Sequence, residues 1–168
     1  MPNTFTKIAA VTVGSGGAAT IDFSSIPATY TDLCLKFSNR TNNTGVGNPF
    51  AMALNGSSSN FTRKILYGDG STAASASASN NNFLWVNGTT ETANTFANVE
   101  IYIPNYAGST NKSISNDGVM ENNATSAYAG FTASLWAQTA AINQITLTPS
   151  VGSWVQYSTA TLYGIKNS

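Results

Sequence analysis

A chain of 168 residues, 42% of them hydrophobic, has material for one domain with a substantial core. Seven basic residues balance seven acidic ones and only 8% of residues are charged, which excludes the electrostatic field that draws in nucleic acid or an anionic membrane and removes the self-repulsion that keeps copies apart. The absence of histidine excludes Ser-His-Asp and Cys-His catalysis and the usual zinc sites, and a single cysteine, Cys34, excludes an intrachain disulfide.

Taken in order, Phe5 to Val13 reads as a first strand. The turn Gly14-Ser15-Gly16-Gly17 and a returning strand, Ala18 to Phe23, make it a hairpin. Asp32 to Ser38 alternates cleanly, with Leu33, Leu35 and Phe37 on one face and Cys34, Lys36 and Ser38 on the other. That pattern belongs to a sheet with one wet side. After a polar loop from Arg40 to Pro49, Phe50, Met52 and Leu54 alternate with Ala51, Ala53 and Asn55, and Thr62 to Tyr67 forms a further short strand. Gly68 to Asn82 is low in complexity and rich in Ala, Ser and Asn. It reads as a loop, either a flexible excursion or a contact segment that orders against a neighbour.

Phe83 to Val86 is a short apolar strand. Phe96 to Ile103 is a longer one, with Val99, Ile101 and Ile103 inward and Asn98, Glu100 and Tyr102 outward. Lys112 to Ser115 and Val119 to Glu121 read as two pieces separated by a turn at Asn116-Asp117-Gly118. Tyr128 to Trp136 alternates Tyr128, Gly130, Thr132, Ser134 and Trp136 against Ala129, Phe131, Ala133 and Leu135. A strand through Ile145 and Leu147 ends at Pro149, and Trp154 to Ile165 is a last strand, expected inside a sheet rather than at its edge.

About ten strands at this spacing predict an all-β, single-domain antiparallel β-sandwich, jelly-roll-like. It spans residues 1–168, with residues 1–4 as an N-terminal arm. No amphipathic helix emerges, no apolar run approaches the ~20 residues that cross a bilayer, and Met1 to Phe5 lacks a signal-peptide pattern.

Chemistry is sparse. Glu100 and Glu121, on neighbouring strands, are the one carboxylate pair worth testing for glycoside hydrolysis, but a solvated face explains them better. Asp69 and Asp117, each beside a glycine, match no calcium loop and read as turn residues. Trp85, Trp136, Trp154, Tyr102, Tyr106 and Tyr128 are aromatics suited to sugar contact, although core packing or interface burial is the better reading of any single one. No catalytic residue, metal ligand or cofactor is expected, and the chain reads as a non-enzyme.

Several segments, however, have a recognisable texture: Tyr30-Thr31-Asp32-Leu33, Ala93-Asn94-Thr95-Phe96, Ile101-Tyr102-Ile103-Pro104-Asn105-Tyr106, Glu121-Asn122-Asn123-Ala124, Gln144-Ile145-Thr146-Leu147 and Gln156 to Ile165. Together they resemble a family of small β-sandwich virion proteins of tailed bacteriophages, cyanophages in particular. The resemblance implies a virion structural protein at the capsid surface. In that role it is a decoration, or cement, protein that bridges neighbouring subunits of the major capsid protein, expected as a homotrimer. A second implication is a receptor-binding or short-fibre subunit that recognises host surface glycans. Trp154, Tyr157, Leu162, Tyr163, Tyr102 and Tyr106 are the candidate core or interface positions.

Overall fold

A computed structural model describes residues 4–121, 123 and 127–166. The expected N-terminal arm, apart from Thr4, therefore lies outside the described residues. The strands are β1 (Phe5–Thr12), β2 (Ile21–Phe23), β3 (Asp32–Asn39), β4 (Asn48–Leu54), β5 (Phe61–Gly68), β6 (Ala73–Ala78), β7 (Asn82–Val86), β8 (Ala97–Ile103), β9 (Lys112–Val119), β10 (Ala129–Trp136), β11 (Ile145–Pro149) and β12 (Thr159–Ile165). They form two antiparallel sheets. One has eight strands in the order β1-β12-β3-β8-β9-β10-β5-β6, and the other has four in the order β2-β11-β4-β7. No helix occurs among the described residues. The protein is an all-β sandwich with sheets of unequal width.

Period-two alternation builds the core, because it sends every second side chain of a strand to one face. Leu33, Leu35 and Phe37 of β3 stand opposite Ile103, Ile101 and Val99 of β8, and Leu35 and Phe37 stand opposite Leu162 and Ala160 of β12. All are buried. The smaller sheet supplies Ile21, Phe50, Met52, Leu54, Ile145 and Leu147 to the same cluster. Trp154 joins the layers: its ring packs edge-on to Phe37 at 4.9 Å and to Phe50 at 6.2 Å, and its indole N–H donates to the Leu147 carbonyl at 3.1 Å. Each such fully buried side chain stabilises the fold by about 1.5–3 kcal/mol. A smaller cluster, Ile65, Leu84, Trp85, Ala97 and Met120, lies beside the main one. Two buried cations are held by backbone carbonyls. Arg40 donates to the carbonyls of Glu91, Thr92 and Thr95, and Lys112 to those of Gly108, Thr110 and Thr139.

Four expectations change. The Gly14–Gly17 turn does not close a hairpin: β1 pairs with β12 and β2 with β11, so the glycines carry the chain from one sheet to the other. Asn116-Asp117-Gly118 is not a turn either. β9 runs unbroken through it, paired with β8 and β10, because the buried Asn116 side chain finds backbone partners there. The stretch Gly68 to Asn82 contains β6, which pairs with β5 over its whole length. Its Ala and Ser residues look featureless because an outer strand buries almost nothing. The last strand starts at Thr159 rather than Trp154. Tyr157 lies in the left-handed region (φ 72°), and the Ser158 hydroxyl donates to the Arg40 carbonyl and accepts from the Arg40 N–H. As expected, that strand is internal, between β1 and β3.

Candidate functional site

The candidate positions divide by depth. Trp154, Tyr106 and Leu162 are core side chains with no exposed surface, and the Tyr106 hydroxyl donates to the Pro27 carbonyl. Tyr163 is half-buried and packs edge-on against Phe5. Tyr102 is also half-buried and donates its hydroxyl to Asp32 at 2.7 Å. Tyr157 alone stands clear, 67% exposed. Trp136 and Trp154 are buried in the core and present no ring face to a sugar, while Trp85 keeps 8% of its surface exposed at a shallow cleft and Tyr128, half-buried, stacks on it.

The carboxylates do not gather. Glu100 stands opposite Asp117, not Glu121, across β8 and β9, and it forms an ion pair with Lys36. Both lie on the open outer face of the larger sheet, where nothing excludes water from a reacting bond. Asp69 performs turn duty: its Oδ1 accepts from the N–H groups of Ser71 and Thr72 at 2.9 and 2.7 Å, which hold its carboxyl below the usual value. No group of three or more His, Cys, Asp or Glu side chains comes together among the described residues. Cys34 is a buried free thiol whose pKa is pushed up by burial, the opposite of what a reactive cysteine needs.

The unusual surface lies on β10 and its neighbours. In β10 the polar-looking parity points inward: Gly130, Thr132, Ser134 and Trp136 are buried, while Ala129, Phe131, Ala133 and Leu135 face solvent. Two contacts force this choice. Trp136 stacks on Phe61 in the core, and Gly130 lies against the Leu84 side chain, where a Cβ would sit 2.9 Å from it. Phe131 is consequently 66% exposed. Its register partner Leu66 on β5 is 56% exposed, and Val119 and Leu135 flank them on the same face. The row continues through pairing: Lys36, Glu100, Asp117, Phe131, Leu66 and Ser75 lie side by side across β3, β8, β9, β10, β5 and β6. Along this row the charges sit on β3, β8 and β9 and the large apolar side chains on β10 and β5, with Lys64 exposed one step along the same face of β5. The alternation of Tyr128 to Trp136 is plain in the sequence, but which parity faces outward is decided by Gly130 and Trp136.

Beside the apolar half, the sheet ends in an open edge. At the opposite edge, β1 carries Lys7 and an irregularity between Lys7 and Ala9, devices that discourage pairing with another chain. In the smaller sheet β2 is only three residues long, and β7 packs across β8, β9 and β10. β6 has neither charge, proline nor bulge over Ala73–Ala78, and it is largely exposed. The Asp69 N–H donates to the Thr72 carbonyl at 3.2 Å. Alternation of bonded and non-bonded pairs along β5 and β6 then turns the backbone groups of Ala74, Ala76 and Ala78 toward β5 and those of Ala73, Ser75 and Ser77 outward.

No protein-family model matches the chain, and no curated protein matches it in sequence.

Proposed function

We propose that this chain is a virion structural subunit of the capsid-decoration type, which attaches to neighbouring subunits of a major capsid protein and braces the shell. The observation that carries the reading is the outward-facing stripe Leu66, Val119, Phe131 and Leu135, set beside the open edge of β6. Apolar side chains placed outside while Thr132 and Ser134 are placed inside are costly in isolation, and they are useful where another surface covers them. The resemblance to small phage β-sandwich proteins supplies the virion setting. A clamp of this kind acts by buried area and strand-edge pairing rather than by reactive groups. The absence of charge on β6 suits close approach of a neighbour at that edge, while Asp117 and Lys64 border Phe131 and Leu66. Homotrimeric assembly on the capsid surface belongs to the same proposal.

Purified protein added to expanded capsid shells tests it. Saturable binding that raises the shells' heat resistance is the expected result, and the Phe131→Ser variant should bind at least tenfold more weakly, about 1.4 kcal/mol. Failure of the wild-type protein to bind any shell, or antibody labelling confined to a tail appendage, overturns the proposal.

A further inference from the structure

Six of the seven Lys and Arg side chains have simple surroundings. Lys7, Lys64 and Lys166 are exposed, Lys36 pairs with Glu100, and Arg40 and Lys112 are buried on carbonyls. Arg63 is the exception. It is half-buried on the inner face of β5, its Nε is covered, and its side chain makes no hydrogen bond or ion pair among the described residues. Burial lowers its pKa, as it must when a guanidinium loses water without gaining an anion. Its terminal nitrogens remain accessible.

Arg63 lines a cleft of about 230 Å³ together with Ile65, Tyr67, Ala76 and Trp85. The cleft exists because the larger sheet overhangs the smaller one. The smaller sheet ends at β7, which packs mainly across β8, β9 and β10, so the inner faces of β5 and β6 are met by side chains of its rim, such as Trp85, rather than by a full second layer. Tyr67 and Trp85 form one wall, with ring centroids 5.6 Å apart, and Tyr128 stacks behind Trp85 at 5.0 Å. The unpaired polar atoms here are hydrogen-bond donors or hydroxyls. In the lining they are Arg63 Nε and Trp85 Nε1; the buried hydroxyls of Thr132 and Ser134 lie on the neighbouring strand β10, opposite Ile65 and Arg63. Among the described residues no carboxylate answers them.

We infer that this cleft binds a ring-bodied monocarboxylate, of the class of a single uronic acid unit in an acidic polysaccharide. The carboxylate would take the forked contact that a guanidinium offers, and the ring would lie against the Tyr67–Trp85 wall. The volume is below that of a drug-sized pocket and suits one ring rather than a chain. Ala76, on the open strand β6, leaves the mouth clear. The site is independent of the decoration reading, because it occupies the inner face of β5 whereas the apolar stripe occupies the outer face.

Titration of the whole protein with sodium glucuronate, followed by tryptophan fluorescence and by amide shifts at constant ionic strength, tests the inference. A saturable response is expected, with perturbed amides confined to β5, β6 and β7. Glucose and acetate should each bind at least about tenfold more weakly, since each lacks half of the recognised structure. Arg63→Gln should lose about tenfold or more in affinity, and Arg63→Lys should not restore it. Ala76→Leu, which fills the cleft without touching the charge, should also abolish the response while leaving the thermal midpoint near that of the wild type. No saturable response to glucuronate, equal binding of acetate, or undiminished binding by Arg63→Gln and Ala76→Leu overturns the inference.

Discussion

Tyr102 and Asp32 form the best-defined polar contact of the outer face. Asp32 is 5% exposed; its Oδ2 accepts from the Tyr102 hydroxyl at 2.7 Å and its Oδ1 from the Asn105 N–H at 2.9 Å. The carboxylate favours the protonated phenol, and with burial it pushes the Tyr102 pKa from 10.0 up to about 12. Between those values the folded chain keeps a proton that the unfolded chain has lost. The unfolded state then binds fewer protons, so stability falls as pH rises through this window and is untouched below it. Urea midpoints measured on either side of the window should show that decline in the wild type and a flatter profile in Tyr102→Phe. The same variant should lose about 1–2 kcal/mol at neutral pH, where the hydrogen bond is intact. A phenolate absorbance titration should show one late-titrating tyrosine disappear in Tyr102→Phe; no change in that titration would detach the shift from Tyr102.

At the scale of the element, β9 shows how a turn signal is overruled. Asn116 is 1% exposed and its side chain joins three strands: Oδ1 accepts from the Leu84 N–H of β7, and Nδ2 donates to the carbonyls of Glu100 on β8 and Asp117 on β9, each at 3.1 Å. Gly118, opposite Gly130, lets β7 come close; a Cβ there would lie 3.0 Å from the Leu84 carbonyl oxygen. Asn and Gly are therefore used as connectors between the layers, where local propensity reads them as a bend. Asn116→Ala should cost about 2–3 kcal/mol in urea denaturation, because it strips the buried Leu84 N–H of its acceptor. β6 tests the opposite case. Ser75→Pro removes an outward N–H and should leave the thermal midpoint nearly unchanged, whereas Ala76→Pro removes an N–H used by β5 and should destabilise the fold by about 3 kcal/mol. Similar losses from both substitutions would show that the two faces of the β6 edge are not as described.

The same contrasts show what could be read from the residues. Clean alternation with large apolar side chains, as in Leu33 to Phe37 and Val99 to Ile103, located strands and their buried faces, because burial selects that pattern directly. The pairing of β1 with β12 and of β2 with β11 was hidden, because a glycine turn records that the chain bends and not which sheet it enters. Arg63 carried no signal at all: its half-buried, unpaired state depends on the overhang of one sheet past the other, which no local window contains.

For the whole molecule, the two halves of the outer face make opposite demands on solvent. Lys36, Glu100 and Asp117 satisfy one half, while the other sets the exposed Phe131, Leu66 and Leu135 around Lys64 and leaves these large apolar side chains in water. If the apolar half existed to support the fold, removing it would unfold the protein. If it exists for contact, the fold should be indifferent to its loss. The double variant Leu66→Ser and Phe131→Ser should therefore stay within about 0.5–1 kcal/mol of the wild type, as surface substitutions do, even though two large apolar side chains are gone. Trp136→Ala, two residues beyond Ser134 on the buried parity, should by contrast lose about 3–5 kcal/mol, since it leaves a cavity beside Phe61. Sedimentation of the double variant should show less self-association at high concentration and weaker retention on a hydrophobic column than the wild type. A large loss of stability in the double variant would return Leu66 and Phe131 to the fold and leave the apolar face without a role in assembly.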